Sequence, residues 1–300
     1  MIQIEKVKKR FGEITALNGV DAVIGENCIF GLVGTNGAGK STMLRVIAGV
    51  LKTDDGQVKI DELPVWENVQ AKEKVCFIPD TAMFFPNATA DVMRDYYRIV
   101  YPMFDAVRFD DLLGKFELDP KRKLSTFSKG MKKQVSVLLG ICANTQYLLC
   151  DETFDGLDPV MRQTVKSLFA SEILNRKFTP VIASHSLREI EDICDYVGLL
   201  HRGGILFARD LDEMKLGIHK IQCVIPDAAD EAALLGELTV LQKEKRGSLL
   251  TIVVRGSYDE IEWKIQARQP LFSEILPLTL EEIFISETEV AGYDIKNLVF

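Results

Sequence analysis

The sequence has no C-x-x-C pair; its six cysteines are scattered through 300 residues. Four of them, Cys28, Cys76, Cys142 and Cys150, fall inside apolar strand- or helix-like runs. That usage fits reduced core thiols in a cytosolic protein rather than a disulfide framework. Histidine is scarce. The three present, His185, His201 and His219, are not spaced as a metal cluster. No hydrophobic run reaches the length of a membrane span. The opening Met1-Ile2-Gln3-Ile4-Glu5 alternates like a strand and lacks the apolar centre of a signal peptide. Action at a membrane would therefore need a partner that supplies the spanning segments. Repeats and low-complexity stretches are missing, and so is a basic excess. A net charge of -8 speaks against a nucleic-acid partner, since nucleic-acid-binding domains carry a basic face. It leaves room for a nucleotide, which needs only a local cluster of donors. What remains is an ordinary globular composition, 47% hydrophobic and 27% charged. At this length it is enough for about two folded units with a sizeable core.

The most informative stretch is Gly34-Thr35-Asn36-Gly37-Ala38-Gly39-Lys40-Ser41-Thr42. It fits the phosphate-loop pattern G-x-x-x-x-G-K-[ST]. The apolar run Cys28 to Val33 precedes it as a buried strand. Met43, Leu44, Val46 and Ile47 follow at helical spacing. A strand that enters a helix through a glycine loop leaves the first helical amides unpaired, and the helix dipole adds positive potential there. Lys40 can reach the β- and γ-phosphates of a nucleotide, and the Ser41 hydroxyl can ligate Mg²⁺.

Elsewhere the chain reads as alternating strands and helices. Ile2 to Val7 and Asn18 to Ile24 are strand-like, with the basic turn Lys9-Arg10-Phe11-Gly12 between them. Phe11 is placed either to stack on a flat base or to cover a sheet edge. Val75 to Ile78 is a buried strand ended by Pro79-Asp80. From Thr89 to about Cys142 the pattern is helical, with Thr89 as a cap. Val92, Met93, Tyr96, Tyr97, Val100, Tyr101 and Phe104 form an apolar stripe expected in a core, the alternative being a tacky face of an inserted helical lobe where a partner docks. Ser128 caps a helix running to about Ala143, whose start is basic and glycine-bearing and so makes a second anion-binding helix end. Tyr147 to Cys150 reads as a buried parallel strand carrying Asp151-Glu152 at its C-terminal edge, where ligands of α/β sheets bind. Pro180 to Ala183 is another strand, ending at Ser184-His185. Arg202-Gly203-Gly204 marks a hairpin. Beyond Asp210 the order strand, helix, strand, strand, helix, strand matches a split β-α-β unit. A capping box at Thr279 and Glu282 starts a last helix, and a loose tail is expected after Thr288.

Taken in this order, the motifs resemble the nucleotide-binding subunit of an ATP-binding cassette (ABC) transporter. The resemblance covers about residues 1–210 and implies an α/β P-loop NTPase fold with a mixed sheet and a helical lobe inserted at about 81–145. Residues 216–300 are expected to form a small α+β accessory domain. By position, the resemblance places Phe11 against adenine and Gly34, Thr35, Asn36, Gly37, Ala38, Gly39, Lys40, Ser41 and Thr42 around the phosphates. It makes Ser128-Lys129-Gly130-Met131 the signature segment, with Ser128 and Gly130 covering the nucleotide of a second subunit that their own loop cannot share. It makes Asp151 a Mg²⁺ ligand with Ser41, Glu152 the carboxylate aimed at the attacking water, Asp155 to Asp158 the D-loop and His185 a donor to the γ-phosphate. The cofactors implied are ATP and Mg²⁺. The partners implied are a second ABC subunit and an integral membrane permease, with no nucleic acid. The location implied is cytoplasmic, on the inner face of the cell membrane.

Two positions depart from the family pattern. Asp80 stands where a glutamine is usual, and as a shorter, charged group it is a candidate to touch Mg²⁺ or its water. Lys129 and Met131 replace a glycine and a glutamine in the signature. The C-terminal unit, with Leu280-Glu281-Glu282-Ile283-Phe284, is similar to the extension on cassettes of antibiotic- and lipid-type (ABC-2) exporters. The resemblance thus implies a transport ATPase. The other reading is a soluble ABC ATPase of translation, repair or cluster assembly. A single cassette and the lack of sustained heptads between Lys40 and Asp151 count against that reading.

Overall fold

The computed structural model of the chain describes residues 1–290. These divide into one compact unit over Met1–Ala208 and a second that begins at Arg209. The first unit opens with β1 (Ile2–Phe11), β2 (Ile14–Ile24), β3 (Phe30–Val33), α1 (Lys40–Ile47), β4 (Asp55–Ile60), β5 (Leu63–Pro64), α2 (Val69–Lys72) and β6 (Val75–Ile78). The lobe follows as α3 (Ala90–Val100), α4 (Ala106–Lys115) and α5 (Lys129–Cys142). The unit closes with β7 (Tyr147–Asp151), α6 (Pro159–Asn175), β8 (Thr179–Ser184), α7 (Leu187–Ile193), β9 (Tyr196–His201) and β10 (Gly204–Asp210).

Two sheets build this unit. One has the order β2-β1-β4-β5, with β1 antiparallel to both β2 and β4. The other has the order β10-β9-β3-β8-β7-β6, and the pairs β9–β3, β3–β8, β8–β7 and β7–β6 are all parallel. Every residue of β3, β7 and β8 is buried, the composition of a parallel sheet covered on both faces. Helix α1 buries Met43, Leu44, Val46 and Ile47 in one core with residues of both sheets. The strand order sets the C-terminal ends of β3, β8 and β7 side by side. Three loops therefore leave the sheet together: the glycine loop, Asp151-Glu152 and Ser184-His185.

Several local readings needed correction. Hairpin β1–β2 runs further than the alternation showed, because its basic tip is neutralised from outside: Lys8 pairs with Asp55 at 3.0 Å and Lys9 with Asp54 at 2.8 Å. The helical stretch after Thr89 is three helices with a short 3-10 turn at Leu124–Thr126 before α5. Thr89, Asp105 and Ser128 cap them, each accepting from the amide three residues on. The aromatic stripe of α3 divides. Met93 packs in the lobe core with Tyr97 and Phe104 against it, while Val92, Tyr96 and Val100 stay exposed. The stripe is wider than one buried face, and the i, i+4 row 92–96–100 is turned outward. A buried glutamate ties α4 to α6. Glu172 takes an ion pair from Arg108 and a second from Arg176 at 2.6 Å.

The second unit contains α8 (Leu211–Leu216), β11 (Ile218–Val224), α9 (Ala228–Glu237), β12 (Thr239–Arg246), β13 (Leu249–Arg255), α10 (Tyr258–Gln266), β14 (Phe272–Leu276) and α11 (Leu280–Val290). Its sheet has the order β12-β13-β11-β14 with all neighbours antiparallel. Ile221, Cys223, Ile252 and Val254 of that sheet form a core with Leu234 of α9 and Ile261 and Ile265 of α10. At the start of α11, the Thr279 amide donates to Glu282 at 3.1 Å and the Glu282 amide donates back to Thr279 at 3.3 Å. This helix continues past Thr288 to Val290, where a tail was expected; the rest of that tail lies outside the described residues.

All six cysteines are buried and unpaired. Burial pushes the thiols of Cys28, Cys76 and Cys223 up to about 11 and that of Cys142 up to about 12.

Two glycines of the lobe should respond oppositely to added side chains. A Cβ on Gly140 of α5 would stand 2.7 Å from Leu148 and 2.9 Å from Ile78, whereas one on Gly114 of α4 would meet nothing within 4 Å. Gly140→Val should lower the unfolding free energy by about 1–3 kcal/mol through overpacking. Gly114→Ala should raise it by about 0.5–1 kcal/mol through helix propensity. Denaturant unfolding midpoints of the two variants check both signs.

Candidate active site

The glycine loop is shaped by what surrounds it. Gly39, immediately before α1, has φ 108°, and a Cβ there would lie 2.4 Å from the carbonyl oxygen of Ala16. A Cβ on Gly34 would lie 2.3 Å from the carbonyl oxygen of Leu200. Neither position accepts a larger residue without moving backbone. No side chain caps α1, so its first amides remain available to an anion. Lys40 is almost fully buried. Its amine donates to the carbonyl of Gly34 at 2.7 Å and of Thr35 at 3.3 Å, and lies 3.4 Å from Glu152 Oε1.

Directly beneath the loop, Ser41 donates to Asp151 Oδ1 at 2.9 Å. Asp151 is fully buried, and its Oδ2 has no protein partner. Burial holds the Asp151 carboxyl above its ordinary range, against the opposing hydrogen bond from Ser41. A buried polar oxygen without a partner is uncommon and calls for a specific cause.

Glu152 follows at the edge of the sheet in the left-handed region, with φ 47°. For a residue with a Cβ this costs on the order of 1–2 kcal/mol. The conformation is held from two sides. The Glu152 amide donates to the Ala183 carbonyl at 2.9 Å, and its own carbonyl accepts from the Lys133 amine. Its side chain is shared: Oε1 faces Lys40, and Oε2 hydrogen-bonds His185 Nδ1 at 2.8 Å. His185 is positioned by its neighbours. Buried Ser184 donates to Glu189 at 2.8 Å and accepts from the Ser186 amide, and Ser186 caps α7.

Lys40, Ser41, Glu152 and His185 line a cleft of about 460 Å³. Asn36, Gly37, Gly39, Lys40, Ser41 and Thr42 form one wall. Glu152 and His185 face them, with Asp80 and Asp155 beyond. The sequence singled out all of these. It missed Ile14 and Ala16 of β2, which supply the apolar side of the cleft, and it named Lys129 of α5 only as a departure in the signature, with no place on this cleft. The alternation of β2 and the placement of Lys129 one helical turn before Lys133 were the only signals that could have found them.

Phe11 is exposed at the β1–β2 turn with Lys9 over its ring, and stands outside the lining of the cleft. Ser128 spends its hydroxyl as an acceptor for the Met131 amide and, like Gly130, does not line the cleft. The signature segment nevertheless reaches the cleft of its own chain, contrary to the sequence reading, because Lys129 pairs with Asp155 at 2.9 Å. Lys129 draws the Asp155 carboxyl below its ordinary range. Asp80 lies on the cleft but its ion pair is to Lys133, at 3.8 Å.

The chain matches the family model described as ABC transporter over residues 17–155. It is 30% identical over 287 residues to the ABC transporter ATP-binding protein YtrB of Bacillus subtilis, covering 96% of this chain and 98% of that protein. It is 29% identical to the bacitracin transport ATP-binding protein BcrA of Enterococcus faecalis, over 71% of this chain and 70% of that protein. Among solved structures, an ATP-binding subunit of an ABC transporter superposes with a TM-score of 0.66 at 23% identity, covering 72% of this chain and 92% of its own. A dimeric ATP-binding cassette in a post-hydrolysis state with ADP and Pi gives a TM-score of 0.63 at 22% identity, over 70% and 99%. The structural likenesses establish the cassette fold. With that fold in place, and with sequence identity running through nearly the full length of both proteins, the chain belongs to the ATP-binding subunits of ABC transporters.

Proposed function

We propose that this chain hydrolyses ATP to drive a separate membrane permease that exports its substrate. The observation that carries the reading is the shared carboxylate of Glu152, set between Lys40 and His185 on the wall opposite the glycine loop. In that position Glu152 takes the proton of, or orients, a water attacking the γ-phosphate. Lys40 leaves its loop carbonyls for the β- and γ-phosphate oxygens. His185 donates to the γ-phosphate from the other side. The amides of Gly34 to Thr42 and the N-terminus of α1 take the remaining phosphate charge. Ile14 and Ala16 offer apolar surface for the nucleoside, beside the hairpin tip that carries Phe11.

The donor set fits Mg²⁺. Among the described residues no three acidic, histidine or cysteine side chains converge on a metal. Mg²⁺ asks for no such cage, since it keeps waters and takes phosphate oxygens with one or two protein ligands. Ser41 and the partnerless Oδ2 of Asp151 would hold it, and when bound it neutralises charge on the β- and γ-phosphates. Asp80, given a metal role from sequence, is assigned instead to Lys133.

Ser128 and Gly130 stand outside the cleft of their own chain, which supports the reading that they complete the site of a second ABC subunit. ATP then closes two cassettes together and hydrolysis releases them, a population shift driven by ligand. No helix among the described residues is long and apolar enough to cross a membrane. The permease would therefore be a different chain, with this one on the cytoplasmic inner face of the cell membrane. Residues 1–210 serve as the nucleotide-binding domain, with its lobe at 81–145 toward the permease and residues 216–300 as the accessory domain. Export rests on relatives named for bacitracin transport and linearmycin resistance.

Lys40→Ala should weaken ATP binding by at least about 100-fold, since it removes a buried cation from a polyanion; a binding titration with a fluorescent ATP analogue measures it. Glu152→Gln should bind ATP normally, lose about 10²–10⁴ in turnover, and run as a dimer on a sizing column in MgATP. A monomeric profile for that variant at saturating MgATP counts against the two-cassette cycle. Purification from membranes in mild detergent tests the partner. A co-purifying multi-span protein supports transport, and ribosomes or nucleic acid overturn it.

A further inference from the structure

Lys133 has no part in the roles assigned above, yet it sits at their centre. It lies in the second turn of α5 and is 3% exposed. A lysine is seldom buried this far, because removing an ammonium from water is costly unless opposite charge or good acceptors surround it. Three groups surround this one. The main-chain carbonyl of Glu152 accepts from its amine. Asp80 stands at 3.8 Å and Asp155 at 3.9 Å, close enough to balance the charge but beyond hydrogen-bond reach. The three come from separate segments: the loop after β6, the edge of β7, and the turn into α6. Lys129, four residues earlier on the same helix face, pairs with the same Asp155 oxygen at 2.9 Å.

The carbonyl that Lys133 grips belongs to the residue with the left-handed backbone. At Glu152 the direction of the carbonyl and the direction of the side chain are set by the same two dihedral angles. If the residue relaxed to negative φ, the carbonyl would turn away from Lys133. The carboxylate would leave Lys40 and His185. Holding the one therefore aims the other. Asp80 has no ion pair or hydrogen bond to Glu152 among those the structure gives it; its connection is through the lysine. This also accounts for the departure at position 80. A neutral glutamine there would leave Lys133 balanced by Asp155 alone, and Asp155 is already shared with Lys129.

We propose that Lys133 is a positioning residue that fixes the backbone of Glu152, and that Asp80 acts on the Glu152 carboxylate through Lys133. The inference rests on the catalytic role given to Glu152 above. Steady-state ATP turnover and thermal unfolding of the full chain test it in Lys133→Met, Lys133→Arg, Asp80→Asn and the Lys133→Met/Asp80→Asn double variant, with Glu152→Gln as reference. Lys133→Met should lower kcat by about 10- to 100-fold, while the KM for ATP and the unfolding midpoint stay close to wild type. Lys133→Arg, which keeps a donor for the carbonyl, should recover most of the loss. Asp80→Asn should lower kcat several-fold alone and add nothing in the Lys133→Met background, the signature of two residues acting on one route.

An unchanged kcat in Lys133→Met beside an inactive Glu152→Gln overturns the inference and leaves the role of Glu152 standing. Independent, multiplying losses overturn the route from Asp80 through Lys133. Full turnover in Glu152→Gln removes the role of Glu152 and the inference with it. Should Lys133→Met fail to fold, Lys133→Gln takes its place in the same cycle, with the same outcomes deciding.

Discussion

The site depends on one buried contact, the hydrogen bond from Ser41 in the first turn of α1 to Asp151 at the end of β7. It joins a helix that must start under the glycine loop to a strand that must end beside it. The order of the parallel sheet makes this possible, since β8 alone separates β3 from β7. The contact also fixes the orientation of Asp151, and so leaves Oδ2 with no protein partner. A fold that had to satisfy every buried oxygen by itself would not place an aspartate there. Its presence is a local loss of stability that a cation bound beside the loop would recover.

Around that contact the charges alternate in sign. Lys40 lies against Glu152, Lys133 against Asp80 and Asp155, and Lys129 against Asp155. The cleft can thus hold many ionic groups without a net local excess when no nucleotide is bound. A triphosphate entering from the loop side competes with Glu152 for Lys40. Lys133 is buried, does not line the cleft and donates to the Glu152 carbonyl, so it is not part of that competition. The lysine of the loop and the lysine of α5 therefore have separable tasks, one facing the ligand and one facing the protein.

Much of this was readable from sequence because it is contiguous. Gly34 to Thr42 carries its own strand and helix signals, and Tyr147 to Glu152 carries a buried strand with its carboxylates at the end. The capping box of α11 spans four residues and appears as read. What escaped notice depends on contacts across the chain. Lys129 and Lys133 look like a solvated basic face until Asp80, Glu152 and Asp155 are brought to them. The extension of β1 and β2 needed Asp54 and Asp55 to neutralise the tip, which no alternation of apolar residues records. Phe11, given its role by motif position, pairs with Ile14 at the hairpin tip, next to the side of the cleft that Ile14 and Ala16 supply. The division of the α3 stripe into a buried and an outward row was not legible, because a stripe wider than a helix face looks, in sequence, like a core.

The buried cysteines carry a practical consequence. Burial raises the Cys28, Cys76 and Cys223 thiols to about 11, away from the reactive thiolate at neutral pH, and all six side chains are buried in the folded state. The folded chain should therefore react slowly with a maleimide. A single cysteine placed on an exposed position such as Val92 or Tyr96 would be the one site labelled, with no native residue replaced beforehand. Spectroscopic distances between two cassettes, or between this lobe and whatever docks on it, are accessible on that background.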